Sequence, residues 1–340
     1  MTTLLAGDIG GTKTLLSLHS ADGLAPLAQE RFLSADWPDL AAMVNHFLAG
    51  ALEAGAERPR TACFAVAGPV QGGSARLTNL PWRLSEGALG QSCAIERVEL
   101  VNDFAVLIYG LPHLRQGQQA PVRDGTPVLG APLLILGAGT GLGVAMGIPT
   151  ATGLQAVASE AAHGAFAPRC ETEWQLRQWL LQDLGLERVS IERVVSGTGL
   201  GHVARWLLSR DPGGAAHPLA ETARRWLREE EGDRPDLPAA VAAAATAGDP
   251  LAREALTLWL GAYGAVCGDL ALACLPRGGI WLAGGTAPKL LEELRGQAFS
   301  QAFQSKGRLS PVLEPIPIRA VTDAAIGTYS AACRARMLLA

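Results

Sequence analysis

Near its beginning the chain reads Leu4-Leu5-Ala6-Gly7-Asp8-Ile9-Gly10-Gly11-Thr12-Lys13-Thr14-Leu15-Leu16-Ser17-Leu18. One apolar run precedes a glycine-rich turn and a second follows it. Apolar runs of this length around Gly-Gly predict two antiparallel strands joined by a tight turn. Because glycine has no Cβ and tolerates positive φ, the amides of such a turn can approach a phosphate closely. A carboxylate in the turn can hold Mg²⁺ against that phosphate, directly or through water, and Asp8 supplies one. The pattern predicts a phosphate site formed by Gly7, Asp8, Gly10, Gly11 and Thr12.

This turn differs from the two best-known phosphate motifs. A P-loop requires Gly-Lys followed by Ser or Thr, whereas Thr12 precedes Lys13 here. A dinucleotide-binding turn leads into a helix, whereas a strand is predicted after this one. On this stretch alone, an ordinary hairpin turn without a ligand stays open as an alternative.

A second stretch repeats the plan: Leu133-Leu134-Ile135-Leu136-Gly137-Ala138-Gly139-Thr140-Gly141-Leu142-Gly143-Val144-Ala145-Met146. Two similar turns in one chain suggest two related halves that face a shared cleft, each turn binding part of a polyphosphate. Coincidence is the alternative, since the chain contains 40 glycines. The residues predicted to bind phosphate in the second turn are Gly139, Thr140 and Gly141.

Asp-Ile-Gly-Gly-Thr followed by Gly-Ala-Gly-Thr-Gly-Leu-Gly resembles the sugar kinase, actin and chaperone ATPase superfamily, and its bacterial glucokinases in particular. The resemblance runs nearly end to end. It implies an α/β chain with the two-lobe, ribonuclease H-like fold of actin and hexokinase, with a cleft between the lobes. Residues 1–112 with 319–340 are predicted to form a small α/β lobe, and residues 113–318 a larger, helix-rich α/β lobe.

Composition limits the class of protein. A length of 340 residues favours two domains over one core. An apolar content of 49% with 18% charged residues is typical of a soluble globule, and a net charge of −4 gives no reason to expect nucleic acid. The six cysteines form no Cys-x-x-Cys pair, which predicts neither a zinc site nor a disulfide framework. No basic segment precedes Asp8 and no run reaches ~18 apolar residues, so neither a signal peptide nor a membrane span is expected and the protein is predicted to be cytoplasmic.

Several local predictions can be compared with the structure. Helical spacing begins at Leu40, with Asp36 or Asp39 available as the N-cap. Residues 115–132 are rich in Gln, Gly and Pro, which indicates an exposed connector. Helices are predicted over residues 250–275, 288–304 and 323–338, the last with Thr322 as its cap. In the resembled family, the closing helix returns to the first lobe.

Asp103 follows the apolar strand predicted at residues 98–101. Transfer of a phosphoryl group to an alcohol needs a carboxylate within hydrogen-bond reach of the attacking hydroxyl. The alternative is a plain helix cap, a position that Asp favours. Val101-Asn102-Asp103-Phe104 resembles the sugar-site sequence of glucokinases, which implies that Asp103 is the catalytic base and that Asn102 and Asp103 bind glucose.

Ser159-Glu160-Ala161-Ala162-His163 places a carboxylate and an imidazole three residues apart, where both can face one sugar. Half of a metal site has the same spacing, but no second copy is present. The family's loop usually reads Gly-Glu-Gly-Gly-His. Glu160 and His163 are therefore predicted glucose ligands, while Ser159, Ala161 and Ala162 replace three glycines and put the backbone freedom of the loop in question.

The resemblance implies further site residues. Asn79 and Glu192 match sugar-contacting positions, although Glu192 alone would read as a solvated residue at a helix start. Ser196-Gly197-Thr198-Gly199 opens a helix that lies near the nucleotide in the family. Gly284 and Gly285, between a strand and a helix, form a predicted adenosine seat, and Trp82 is expected in the core.

The resemblance as a whole implies ATP-dependent phosphorylation of glucose at the 6-hydroxyl, with Mg²⁺ near Asp8 and a homodimer. Cys170 stands alone where the zinc-bearing branch of related kinases and repressors has a Cys-rich loop, which favours the zinc-free branch. Three alternatives stay open: a kinase for another hexose, a kinase that uses polyphosphate, and a non-catalytic sugar or nucleotide sensor. Retention of Asp8, Asp103, Glu160 and His163 argues against the sensor.

Overall fold

The computed structural model describes residues 2–77, 80–151, 153–228 and 233–340. The strands are β1 (Thr3–Ile9), β2 (Lys13–Ser20), β3 (Pro26–Leu33), β4 (Thr61–Val66), β5 (Val70–Gln71), β6 (Ser74–Arg76), β7 (Arg83–Ser85), β8 (Arg97–Asn102), β9 (Gln119–Arg123), β10 (Leu133–Ala138), β11 (Leu142–Thr150), β12 (Gly153–Ser159), β13 (Gly279–Ala283) and β14 (Ile318–Val321). The α-helices are α1 (Leu40–Glu53), α2 (Glu86–Cys93), α3 (Leu107–Gly110), α4 (Glu171–Asp183), α5 (Gly197–Arg210), α6 (Ala220–Arg228), α7 (Leu237–Thr246), α8 (Pro250–Cys274), α9 (Thr286–Lys289), α10 (Leu291–Leu294), α11 (Gln297–Gln304), α12 (Ser310–Leu313) and α13 (Ile326–Met337).

The chain divides into two compact units. The first contains Met1–Gln118, Ala145–Ala158 and Asp323–Ala340, and the second contains Gln119–Val144 and Ser159–Thr322. The sequence placed residues 145–158 in the larger lobe, whereas the structure places them in the first unit. The chain passes from one unit to the other inside β11, and no turn or change of composition marks that point.

The first unit is built on a five-stranded sheet with the order β3-β2-β1-β4-β8. The predicted hairpin is present: β1 pairs with β2 in antiparallel fashion, and β1, β4 and β8 run parallel. On one side, α1 is capped by Asp39, whose carboxylate accepts the amide of Ala42 at 2.7 Å. This helix buries Met43 and Phe47 in the core. The closing helix α13 packs on β1 and β4, so its predicted return to the first lobe is confirmed.

The second unit contains β9, β10, β13 and β14 of a six-stranded sheet whose order is β12-β11-β10-β13-β14-β9. Strands β10, β13 and β14 run parallel, and β9 pairs antiparallel with β14. The prediction that residues 115–132 form only an exposed connector is therefore wrong, because Gln119–Arg123 is an edge strand. Pairing with a distant strand, rather than local pattern, gives this polar and proline-containing segment its structure.

Small residues on α8 bring it close to α11, as its sequence suggests. A Cβ on Gly264 would lie 2.2 Å from the carbonyl oxygen of Phe299. Within the described ranges, α8 is the one helix that is long and apolar enough to cross a membrane, but 72% of its most apolar window is buried in the protein. That burial is typical of a core helix.

Two helix predictions near the C-terminus need correction. The predicted helix over residues 288–304 is divided into α9, α10 and α11, because Leu290 (φ −116°, ψ 29°) and Gly296 (φ −72°, ψ 171°) leave helical geometry. The final helix begins at Ile326, not Asp323. The carboxylate of Asp323 accepts the amide of Ala325 at 2.8 Å and holds the turn before the helix, so Thr322 is not its cap.

Candidate active site

Asp8, the predicted Mg²⁺ ligand, and Asp103, the predicted base, lie at the same end of the first unit's sheet. Asp8 pairs with Ala65 near the end of β1, and Val66 pairs with Asn102 at the end of β8, one residue before Asp103. Because the three strands are parallel and ~4.8 Å apart, the strands that lead to the two acids are about 10 Å apart. Both acids therefore follow carboxyl-terminal strand ends on the same edge of the sheet.

The carboxylate of Asp103 is held by its own neighbour. The side-chain amide nitrogen of Asn102 donates to Oδ1 of Asp103 at 3.1 Å and to the carbonyl of Gly68 at 3.1 Å. The oxygen of the same amide accepts the backbone N–H groups of Phe104 and Ala105. Asn102 thus caps the turn after β8 and fixes the direction of Asp103.

The electrostatic environment suits Asp103 as a proton acceptor. Desolvation by the surrounding protein raises the pKa of Asp103, and the negative charge of Asp8 adds to that rise, while hydrogen bonds from Asn102 and from backbone amides oppose it. Asp103 is nevertheless exposed to solvent. A reachable carboxylate with a raised pKa is a stronger base than an ordinary aspartate.

Asp8 is also open to solvent, and desolvation likewise raises its pKa, while Arg31 lowers it. Asp8 pairs with Leu15, which pairs with Arg31 of β3, so the three residues form one row across the sheet. Side chains in one row point to the same face. Arg31 therefore places a positive charge on the face that carries Asp8.

Two hydrogen bonds from Ser34 hold the first glycine turn. Its hydroxyl donates to the carbonyl of Gly10 at 2.8 Å, and its amide donates to the carbonyl of Thr12 at 3.0 Å. Among the described residues, the amides of Gly11 and Thr12 have no protein acceptor. Gly7 has a different role: it is buried, and a Cβ there would lie 2.6 Å from the ring of Phe64, so packing accounts for glycine at this position.

The second glycine turn has a comparable support in the second unit. The amide of Gly197 donates to the carbonyl of Gly139 at 2.7 Å, and the hydroxyl of Thr198 donates to that of Thr140 at 2.7 Å. Ser196 caps α5 by accepting the amide of Gly199. The structure thus brings the predicted Ser-Gly-Thr-Gly stretch against the predicted phosphate turn.

A cavity of about 380 Å³ lies beside this turn, entirely within the second unit. The described residues lining it come from the turn (Gly139, Thr140), the start of α5 (Gly197, Thr198, Leu200), α6 (Trp226), the segment before and within α7 (Arg234, Pro235, Asp236, Pro238, Ala239, Ala242) and α9 with its flanks (Gly285, Thr286, Lys289, Leu290). Small-molecule pockets commonly have volumes of ~300–1,000 Å³ and mostly apolar walls. The cavity has the size and lining expected of a nucleoside site.

The predicted adenosine seat borders this cavity. Gly284 has φ +83°, and a Cβ there would lie 2.5 Å from the carbonyl oxygen of Ala138, so glycine is required by both conformation and space. Thr286 donates from its hydroxyl to the same carbonyl at 2.7 Å. Gly285 has open space around it and lines the cavity.

Glu160 and His163 lie on one turn of the second unit, as their spacing predicts. Residues Ala161–His163 form a short 3₁₀ helix, and Nε2 of His163 is 3.6 Å from a carboxylate oxygen of Glu160. Both side chains are exposed, so polar atoms of both remain available. Ala161 and Ala162 replace glycines at no conformational cost, because neither has positive φ.

Glu192 lies closer to the second predicted phosphate turn than the sequence suggests. One of its carboxylate oxygens accepts a hydrogen bond from the amide of Leu142 at 2.9 Å, immediately after Gly141.

Trp82 is a core residue, as expected, since it is 2% exposed and its indole donates to the carbonyl of Trp37. Asn79, the remaining predicted sugar ligand, lies outside the described residues.

Sequence reasoning missed Arg31, Ser34 and Trp226. Arg31 lies in β3 and Ser34 opens the short 3₁₀ helix Ser34–Asp36, so β2 separates both residues from the turn and neither belongs to a motif. Trp226 belongs to an amphipathic helix in which an aromatic residue reads as core, and it is indeed 7% exposed. No local signal distinguishes these three from ordinary structural residues.

Comparisons with known proteins identify the family. The family model described as Glucokinase matches residues 5–338. The chain is 44% identical to the glucokinase of Synechocystis over 343 residues, covering 96% of each protein. The chain belongs to the glucokinase family. It is also 41% identical to the glucokinase of Nostoc punctiforme, covering 99% of this chain and all of that one.

The fold of this chain is also similar to that of a glucokinase of known structure. The crystal structure of a glucokinase from an Antarctic psychrotroph superposes with a TM-score of 0.81 at 27% identity, over 98% of this chain and 99% of that one. The resemblance read from the two glycine turns is therefore confirmed, and so is the α/β fold of the actin and hexokinase type.

Proposed function

We propose that this protein is an ATP-dependent glucokinase that transfers the γ-phosphoryl group of ATP to the 6-hydroxyl of glucose. The observation that carries the proposal is the placement of Asp103. Its carboxylate follows the end of β8, is oriented by Asn102, and experiences the negative charge of Asp8, which lies near the end of β1 in the same sheet. Membership of the glucokinase family supports the same reaction.

Asp103 accepts the proton of the 6-hydroxyl as that oxygen attacks the γ-phosphorus. The bond between the γ-phosphorus and the β,γ-bridging oxygen breaks, and ADP leaves with the electron pair. Because desolvation raises the pKa of Asp103, the carboxylate holds the proton until it can pass to solvent. The products are glucose 6-phosphate, ADP and one proton.

The donor is MgATP. The adenosine occupies the cavity beside Gly285 and Thr286, and the phosphates meet the amides of Thr140 and Gly141. The family resemblance implies that the amides of Gly11 and Thr12 also bind phosphate. Mg²⁺ arrives with ATP and prefers one or two carboxylates together with phosphate oxygens and water. Asp8 fits that preference as an exposed carboxylate, and in the described ranges no cluster of three acidic, His or Cys side chains forms a closed metal cage.

Glucose is oriented by Asn102, Glu160, His163 and Glu192, with Asn79 as a further ligand implied by the family resemblance. Glu160 and Glu192 each have a carboxylate oxygen that can accept from a sugar hydroxyl, and His163 adds an imidazole nitrogen. Charged acceptors give stronger hydrogen bonds than neutral ones. We further propose that the enzyme works in the cytoplasm as a homodimer.

A coupled assay tests this function. The purified protein is given glucose and MgATP, and glucose 6-phosphate is followed through glucose-6-phosphate dehydrogenase, with mannose, fructose and glucosamine assayed by ADP release. The expected result is turnover with glucose and ATP that far exceeds turnover with the other sugars or with polyphosphate. No phosphorylation of glucose by MgATP, from protein that binds glucose calorimetrically, would refute the proposal and favour a sugar sensor.

A further inference from the structure

One segment of the second unit, Arg188–Thr198, contacts both the glycine turn and the loop that carries Glu160 and His163. Toward the turn, its last residues hold the carbonyls of Gly139 and Thr140. Toward the loop, the guanidinium of Arg188 donates to the carbonyl of His163 at 2.7 Å, and the amide of Ile191 donates to that of Gly164 at 2.8 Å. The segment therefore joins the two predicted ligand-binding elements by direct hydrogen bonds.

Glu192 lies in the middle of this segment, within the short 3₁₀ helix Ile191–Arg193. Its Oε2 accepts the amide of Leu142, and the approach is so close that a Cβ on Gly141 would lie 2.5 Å from that oxygen. The backbone of Glu192 is fixed as well, since its carbonyl accepts the hydroxyl of Ser196 at 2.8 Å. The third glycine of Gly139-Thr140-Gly141 thus makes room for this carboxylate.

The contact between Glu192 and Leu142 also helps to set the conformation of the turn. The bond to Leu142 fixes the chain one residue after Gly141, and the bonds from Gly197 and Thr198 fix Gly139 and Thr140. Together they hold the turn with the amides of Thr140 and Gly141 unpaired by any described protein acceptor. Pre-organised donors bind phosphate without a further cost of ordering at the moment of binding.

We propose that Glu192 is a positioning residue for the phosphate turn, and that it couples the sugar site to the nucleotide site. This inference rests on the proposed glucokinase function, in which the other carboxylate oxygen of Glu192 meets a sugar hydroxyl. A sugar bound at Glu192 restrains the carboxylate that holds Leu142, so glucose tightens the grip of the turn on ATP. By thermodynamic reciprocity, ATP tightens the binding of glucose by the same factor.

The coupling gives the enzyme a means to limit wasteful hydrolysis of ATP. Without sugar, Glu192 holds the Leu142 amide through one carboxylate oxygen, and the second oxygen is left for a sugar hydroxyl. With sugar, both oxygens are engaged and the phosphates are held for transfer. Glu160 and His163 have no described contact with the phosphate turn, so they bind sugar without this second effect.

The test measures binding of Mg²⁺ with a non-hydrolysable ATP analogue by calorimetry, with and without saturating glucose, in wild type and in Glu192→Gln, Glu192→Ala and Glu160→Ala. The glutamine variant retains an oxygen for the Leu142 amide, whereas the alanine variant loses it. Glu187→Ala, an exposed residue of the neighbouring loop, is the matched control and is expected to behave as wild type. Thermal melting verifies that each variant is folded.

We expect glucose to tighten analogue binding to the wild type by at least about 5-fold, the lower end of typical coupling factors. Glu192→Ala should abolish this enhancement and weaken analogue binding in the absence of glucose. Glu192→Gln keeps the analogue affinity within about 2-fold while glucose binding weakens. Glu160→Ala weakens glucose only. Unchanged analogue affinity and unchanged enhancement in Glu192→Ala overturn the inference, even if the wild type phosphorylates glucose. A wild type that binds both ligands with coupling but transfers no phosphoryl group refutes the proposed function instead.

Discussion

Replacement of Asp103 by Asn removes the proposed base while preserving its shape. The amide has the volume of the carboxylate and an oxygen that can still accept from Nδ2 of Asn102, so the turn after β8 keeps its hydrogen bonds. What is lost is the ability to take the proton of the 6-hydroxyl. A positioned general base contributes ~10²–10⁴ in rate, which corresponds to roughly 2.7–5.4 kcal/mol of activation free energy. We therefore expect kcat to fall by at least ~10², while the affinity for glucose changes by only a few-fold.

The assay compares initial rates of wild type and Asp103→Asn with glucose and MgATP, together with calorimetric binding of glucose. The pH dependence gives a second readout. In the wild type, kcat should fall as the pH falls through the raised pKa of Asp103, because the protonated carboxyl cannot act as a base. The same limb should be absent from the residual rate of the variant. Near-normal turnover in Asp103→Asn, or an unchanged acidic limb, would refute the assignment.

Asp103→Asn should also affect the stability of the fold. Whereas it lowers kcat, it should leave stability at pH 7 unchanged or increase it. The pKa of Asp103 is raised in the folded state, so the folded protein binds this proton more tightly than the unfolded chain. Stability from this group is complete below the unfolded pKa and is lost as the pH rises through the folded value. At pH 7 Asp103→Asn should therefore unfold at the same temperature as wild type or higher. A large loss of stability would mean that Asp103 has a structural role.

Three further sets of substitutions test other parts of the site and fold. Asp8→Asn should raise the Mg²⁺ and ATP concentrations needed for half-maximal rate more than the glucose concentration, and an unchanged Mg²⁺ requirement would count against its metal role. Ser34→Ala should raise KM for MgATP several-fold without changing KM for glucose, because the carbonyl of Gly10 loses its hydroxyl donor. Gly264→Ala should destabilise the protein by about 1–3 kcal/mol through its clash with Phe299, whereas Gly50→Ala, with open space around it in α1, should stabilise it by about 0.5–1 kcal/mol in chemical denaturation. Equal effects of the two glycine substitutions would contradict the packing argument.

The sequence predicted the elements whose signal is local. The hairpin β1–β2, the N-cap Asp39 of α1 and the long helix α8 all have their apolar pattern and their capping or turn residue within one stretch. The edge strand β9 was missed because its structure comes from pairing with β14, which lies close to the other end of the chain. The passage of the chain between units inside β11 was missed for the same kind of reason, since a continuous strand has no boundary signal.

The site could be predicted to the extent that its residues stand in motifs. Asp8 follows a glycine, Asp103 and Glu160 follow strand ends, and His163 stands three residues after Glu160. The structure places Asp8 with Asp103 in one unit and Glu160 with His163 on one turn. The contact of Glu192 with Leu142 could not be predicted, because it joins two distant positions of the chain through a backbone amide. A motif shows which side chain is present but not which of its oxygens is already in use.

The hydrogen-bond donors that hold the two glycine turns explain why part of each predicted phosphate site could not be found from the sequence. A turn that binds phosphate must leave its amides free, so its carbonyls have to be held by donors from elsewhere in the chain. In the first turn, Ser34 supplies a hydroxyl and an amide, and in the second, Gly197 and Thr198 supply an amide and a hydroxyl. The two turns use the same chemistry from unrelated places: the 3₁₀ helix after β3 in the first case and the start of the distant helix α5 in the second. The glycines are therefore readable as a pattern, whereas the donors that orient them depend on the fold and become visible only in the structure.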